Sequence, residues 1–141
     1  MKKFMKRNSF LAVMLFACAS LIFASCSKDD DKAPEGGSID AAIGTYVGTV
    51  KVIGGKDYYN AVINVTKVDA SHVKIEAKSG EEYSGVAPKT MKVSNTHNIS
   101  INTLSEPNGS FLYSIEDKTV ILMTSKTQEN EIYYSFEGTK Q

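Results

Sequence analysis

The chain has 141 residues, with 16 basic and 16 acidic side chains, two cysteines and no tryptophan. Because the predicted processing described below would leave a net negative chain, we expect no nucleic-acid partner, whose electrostatic footprint would be a basic patch. About a hundred residues follow the N-terminal segments described below, which is enough for one domain and too few for two.

Residues 1–25 have the pattern of a secretory signal peptide. Four positive charges lie in positions 1–7, and an apolar run of about fifteen residues follows, shorter than the roughly twenty needed to cross a bilayer. Ala24-Ser25 precedes Cys26, and a small residue before cysteine at this place resembles the lipobox of bacterial lipoproteins. The resemblance implies that residues 1–25 are removed and that Cys26 carries lipid. An uncleaved signal anchor is the alternative.

Residues 26–38 are interpreted as a lipidated, flexible linker. The sequence Ser27-Lys28-Asp29-Asp30-Asp31 resembles the export signal of Bacteroidetes surface lipoproteins, which implies an outer-membrane location with the domain at the cell surface. A solvated charged linker is the alternative, and the two are compatible. Processing would leave 12 basic and 16 acidic side chains, a net charge near −4, and no cysteine pair for a disulfide.

Residues 39–141 show the alternation of apolar and polar side chains that is typical of short β-strands, broken by turn residues. We expect about eight antiparallel strands in up-and-down order, closed into a barrel because an open sheet would expose two edges. A two-sheet β-sandwich is the alternative. The predicted strands are 44–53, 58–66, 72–78, 83–94, 98–104, 110–116, 118–125 and 131–139.

The alternation also predicts which side chains face the barrel interior. In the second strand Tyr59 is assigned inward together with Ala61, Ile63 and Val65, and in the last strand Ile132, Tyr134 and Phe136 share one face. The strand 118–125 is apolar on both faces. We therefore expect Ile121 and Met123 to be covered from outside by the linker or to contact a partner.

Two short motifs resemble the calycins. Gly44-Thr45-Tyr46 opens the first strand where lipocalins carry a glycine, a spacer and a tryptophan, and the segment 134–140 closes the last strand. The resemblance is nearer to short calycin-like lipoproteins of the Bacteroidetes. It implies a lipocalin-like barrel in which the Tyr46 ring closes one end against a late basic residue, for which Lys140 is the candidate.

The sequence offers little catalytic chemistry. His72 and His97 are the two histidines: His72 begins the third predicted strand, His97 directly precedes the fifth, and neither lies near a cysteine or a pair of carboxylates. A zinc site needs three or four convergent ligands, so we expect no metal and no cofactor. No strand-to-helix nucleophile motif is present in the sequence. We therefore expect a protein that is not an enzyme.

Tyrosine is the remaining signal, since seven of the nine aromatic residues after Cys26 are tyrosine. Four are assigned inward and are candidate ligand-lining residues: Tyr46, Tyr59, Tyr113 and Tyr134. A phenol combines an apolar ring with a polar tip, which would suit a small amphipathic ligand inside the barrel. The alternative is that these rings fill the barrel and the protein is an interaction module, either a subunit of an outer-membrane assembly or an enzyme inhibitor.

Overall fold

The computed structural model describes residues 37–103 and 106–141. The predicted signal peptide, the lipid-attachment residue Cys26 and the linker up to residue 36 lie outside the described residues, as does Leu104, predicted to end a strand. Within the described ranges, no helix has the length and hydropathy to cross a membrane.

The described residues fold into one antiparallel sheet of nine strands that forms a nearly closed barrel. Two short 3-10 turns, Asp40–Ala42 and Glu82–Gly85, flank the first and fourth strands. The order across the sheet is β4-β3-β2-β1-β9-β8-β7-β6-β5, so sequential strands are neighbours and β9 closes on β1. The strands are β1 Gly44–Val52, β2 Asp57–Lys67, β3 His72–Ala77, β4 Lys89–Lys92, β5 Ser94–Thr96, β6 Ser100–Asn102, β7 Gly109–Ser114, β8 Thr119–Thr124 and β9 Tyr134–Lys140.

The two edges of the sheet belong to one bent segment of chain. β4 pairs with β3 and β5 pairs with β6, and the single residue Val93 separates β4 from β5. Asn108 Nδ2 also donates to the Thr90 carbonyl at 2.8 Å, which ties β4 to the start of β7. Counted as one bent strand, residues 89–96 bring the number of strands to the eight that the sequence predicts. The predicted bounds 83–94 are wrong at the start, where Glu82–Gly85 form a 3-10 turn. The predicted all-β, up-and-down barrel is confirmed.

The inward positions of the strands form the core. Tyr46 and Val50 of β1, and Val120 and Leu122 of β8, are at most 1% exposed, as their alternation predicts. The turn Asp40–Ala42 closes one end of the barrel by burying Ala42. The other strands add further buried side chains to the same cluster: Ala61, Ile63, Val65, Val73, Ile75, Met91, Ile101, Phe111, Tyr113, Tyr134 and Phe136.

The assignment of Tyr59 to the interior is wrong. Gly48 pairs with Ala61 whereas Val50 pairs with Tyr58, so β2 contains one extra residue between these two pairs. Asn60 adopts the left-handed conformation there, with φ 56°, as the residue of a β-bulge does. The bulge reverses the phase of the strand, so Tyr59 points outward and is 73% exposed.

The last strand begins later than the sequence predicts. Ile132 was assigned to the buried face, but it lies before β9 and is 47% exposed. The carboxylate of Glu131 accepts hydrogen bonds from the backbone N–H groups of Thr127 and Gln128 at 2.7 and 3.2 Å. These bonds hold residues 127–131 in a loop. Pairing with the first strand's end begins only at Tyr133, whose carbonyl accepts a hydrogen bond from the Ile53 N–H at 3.1 Å.

Candidate functional site

Two of the predicted tyrosines close one end of the barrel. Tyr46 Oη donates to the Ala42 carbonyl at 2.7 Å, and its ring packs edge-on against Tyr113 with centroids 5.9 Å apart. Lys140 Nζ donates to the Ala41 carbonyl at 2.8 Å and lies 6.0 Å from the centroid of the Tyr113 ring. Burial raises the pKa of both phenols, so they stay protonated. These rings have structural partners and line no open site.

The contact between Tyr46 and Lys140 that the calycin resemblance implies is present as a register pair between β1 and β9. Gly44 makes it possible, because a Cβ at this position would come within 2.6 Å of Lys140 Cε. The lysine ammonium itself lies nearer to Tyr113 and to the 3-10 turn. The glycine, the tyrosine and the late lysine therefore meet at one end of the barrel.

Tyr134 lies inside the barrel and differs from Tyr46, whose hydroxyl has a backbone partner. Its side chain is fully buried, and its hydroxyl has no hydrogen-bond partner among the described residues. Burial raises the pKa of this phenol as well. A buried hydroxyl without a partner costs free energy, and an internal water or ligand is the usual reason for one.

The other end of the barrel is fastened by a buried ion pair that sequence reasoning missed. Lys89 is 4% exposed, and its ammonium lies 2.6 Å from Glu131 Oε1 and 2.8 Å from Thr127 Oγ1. The hydrogen bond from Lys89, followed by that from the Thr127 backbone, lowers the pKa of Glu131 to about 2. Lys89 alternates with Met91 and Val93, so its inward phase could have been read from the sequence.

The surface carries a groove on the outside of the barrel, across β2, β1, β9 and β8, which we call the outer groove. It is a shallow depression, broadly open to solvent, with a volume of about 520 Å³. Tyr59 on β2 and Ile121 on β8 line its two sides, and polar side chains of β1 and β9 lie between them. The polar lining residues are Thr49, Lys51, Asp57, Thr119, Ser135, Glu137 and Thr139.

The charged side chains of the outer groove have no ion-pair partner among the residues that the structure describes. Lys51, Asp57 and Glu137 form no ion pair with any other residue in the described ranges. Lys51 and Asp57 are a register pair of β1 and β2, and Glu137 faces Thr49 of β1. The groove therefore presents both donors and acceptors to a ligand.

Apolar side chains continue the outer face beyond the groove. Leu112, Ile121 and Met123 are 45%, 53% and 46% exposed, and Leu112 faces Ile121 across the β7–β8 pairing. We call these three residues the outer stripe. The described residues leave these three side chains exposed. The linker that would cover Ile121 and Met123 lies outside the described residues, so their cover by the linker or by a partner stays a prediction.

The histidines do not form a catalytic arrangement. Asp69 Oδ1 lies 2.8 Å from His72 Nδ1, and Ser71 Oγ lies 3.2 Å from the same nitrogen. A catalytic triad needs the acid and the nucleophile on different ring nitrogens, so this turn lacks the required geometry. Across the two described ranges, no three His, Cys, Asp or Glu side chains are grouped so as to hold a metal ion.

Comparison with known proteins identifies no relative. No protein-family model, no curated protein and no solved structure matches this chain. The resemblance to calycins therefore stays a prediction made from the sequence motifs of this chain.

Proposed function

We propose that this protein is a calycin-like lipoprotein, anchored by Cys26 to the bacterial outer membrane and exposed at the cell surface, that binds its partner on the outer face of the barrel. The observation that carries the proposal is the division between the two faces of the sheet. Inward positions are occupied by buried side chains, while the outer groove and the outer stripe are exposed.

The ends of the barrel support this choice over binding in the interior. At one end the turn Asp40–Ala42 buries Ala42 and accepts hydrogen bonds from Tyr46 and Lys140. At the other end the Lys89–Glu131 ion pair fixes the loop before β9. A ligand entering either end would have to break buried polar contacts, whereas the outer groove is open to solvent.

The N-terminal segment supports display at the membrane. A lipid on Cys26 would hold the barrel at the bilayer, and the acidic residues 29–31 would direct it to the outer leaflet. Cys26→Ser should leave the protein unlipidated, and unchanged partitioning into detergent would contradict this.

Replacing Asp29, Asp30 and Asp31 with Ala should keep the lipid but protect the domain from protease added to intact cells. Equal digestion of variant and wild type would refute surface export by this segment.

Hydroxyl-radical footprinting tests the binding face. The full-length protein is labelled on living cells and again after purification in detergent, and oxidation is compared residue by residue. We expect Met123 and Tyr59 to be protected on cells relative to the purified protein, whereas the exposed side chains Val68 and Ile99 are oxidised equally in both. Equal oxidation of Met123 and Tyr59 in the two samples would exclude an occupied outer face.

A second candidate is a small amphipathic ligand held inside the barrel, and the unpartnered hydroxyl of Tyr134 favours it. Such a ligand would supply the missing hydrogen bond. Native mass spectrometry of the protein purified under mild conditions separates the two candidates. An added mass that is lost on denaturation, and that is absent from a Tyr134→Phe variant, would support the internal ligand.

A further inference from the structure

We propose that the outer groove binds a neutral carbohydrate, an oligosaccharide lying across strands β2, β1, β9 and β8 with one sugar ring against Tyr59. The inference rests on the proposed function, since it names the ligand class of the outer face. The argument comes from how Tyr59 is presented, from the polar groups beside it and from their charge.

The bulge at Asn60 gives Tyr59 an unusual exposure for a large aromatic side chain. The ring is 73% exposed, although the neighbouring Tyr58 is half-buried and packs 5.6 Å from Tyr83. Regular alternation would have placed Tyr59 inside. A flat ring of this kind offers an apolar face with a polar tip. The C–H face of a pyranose ring is the matching surface, apolar in its plane and ringed by hydroxyls.

The polar lining suits a ligand made of hydroxyl groups. A sugar hydroxyl donates one hydrogen bond and accepts others, so it needs both kinds of partner. Lys51 supplies a donor, Asp57 and Glu137 supply acceptors, and Thr49 and Thr139 supply hydroxyls that can do either. None of the three charged groups is neutralised by an ion pair within the described ranges. Their hydrogen-bonding capacity is therefore available to a ligand.

The charge and the length of the outer groove further restrict the class of ligand that it can bind. Two carboxylates against one ammonium disfavour a polyanionic glycan, because the local potential would repel it. The four strands that form the groove span roughly 14 Å across the sheet at the usual strand spacing. That length suits several linked sugars more than a single one. Ile121 at the far side adds an apolar contact for a second ring face.

The test is saturation-transfer NMR with the mature lipidated protein in detergent. The probes are maltohexaose, cellohexaose, xylohexaose and mannohexaose, with polygalacturonate as the anionic comparison. We expect saturation transfer to at least one neutral hexasaccharide and none to polygalacturonate. Tyr59→Ala should weaken binding about tenfold or more, since a lost ring contact of this kind is worth about one such factor. Tyr59→Phe keeps the ring and should retain affinity within a few-fold.

One control tests whether binding is specific to the outer groove. The footprinting result shows whether a failure of the carbohydrate inference also affects the proposed function. Ile99→Ala removes an exposed apolar side chain away from the groove and should leave the transfer unchanged. No transfer to any neutral probe, or equal transfer after Tyr59→Ala, would overturn the carbohydrate inference. If footprinting on cells still showed Tyr59 and Met123 protected, the outer face would remain the binding face and its partner would be of another class, such as a protein.

Discussion

Tyr46 and Lys140 face each other across the β1–β9 pairing, and their polar tips donate to consecutive carbonyls of one 3-10 turn, those of Ala42 and Ala41. The first strand, the last strand and the 3-10 turn that precedes the first strand are thus joined at one end of the barrel. This contact closes one end of the barrel and fixes the phase of both strands. It explains why a short N-terminal turn is part of the core.

Tyr46→Phe should lower the stability of the barrel. The change removes the hydroxyl and leaves the buried Ala42 carbonyl without its donor, which costs about 1–3 kcal/mol. The measurement is urea unfolding of a soluble form that begins at Ser27. Tyr59→Phe serves as the control, because its hydroxyl lies on an exposed side chain. Equal midpoints for Tyr46→Phe and wild type would show that this hydrogen bond does not hold the turn.

The Lys89–Glu131 pair should make stability depend on pH in the acidic range. The pKa of Glu131 is about 2 in the folded protein against an ordinary value of 4.5, so its contribution is full above pH 4.5 and is lost as the pH falls toward 2. Glu131→Gln should therefore be less stable than wild type near neutral pH, and the difference should shrink as the pH approaches 2. A difference that is constant over this range would contradict the folded pKa and the ion pair behind it.

Asn60 should tolerate glycine and reject a β-branched residue. Its φ of 56° is costly for most side chains, so Asn60→Val should destabilise the protein by about 1–2 kcal/mol. Asn60→Gly should be neutral or nearly so in the same urea titration. If valine were tolerated as well as glycine, the bulge would be absent, and Tyr59 would lose the reason for its outward position.

The Tyr134→Phe variant tests whether the barrel interior is packed by side chains alone or also holds a water or ligand. The hydroxyl has no partner among the described residues, so removing it should leave stability unchanged or raise it by about 1 kcal/mol. A clear loss of stability would mean that the hydroxyl is bonded to an internal water or ligand. The comparison uses urea midpoints at equal protein concentration, with Tyr46→Phe as the variant expected to change in the opposite direction.

Much of the architecture could be predicted from alternation. Val73 and Ile75, or Val120 and Leu122, repeat with a period of two, and such pairs are buried as expected. The wrong predictions have local structural causes that the alternation of apolar and polar residues does not reveal. Tyr59 was misplaced because one extra residue in β2 reverses the phase, and a bulge has no strong signature in a single sequence.

The candidate site was harder to predict than the fold. Tyrosine content suggested an internal ligand, but Tyr46 and Tyr113 find structural partners that are distant in the sequence. The outer groove arises from residues of four strands, and their proximity depends on the register between β1 and β9. Burial of Lys89 is not expected from the sequence, because lysine is rarely buried unless it is paired. Its partner Glu131, which compensates the buried charge, is distant in the sequence.

The most direct test of outer-face binding is photo-crosslinking on living cells from chosen positions of the full-length protein. A photoreactive phenylalanine analogue replaces Tyr59 in one strain and Ile99, exposed but outside the groove, in another. The account predicts a discrete adduct from position 59 and none from position 99. No adduct from position 59, or the same adduct from both positions, would contradict binding at the outer face of the barrel.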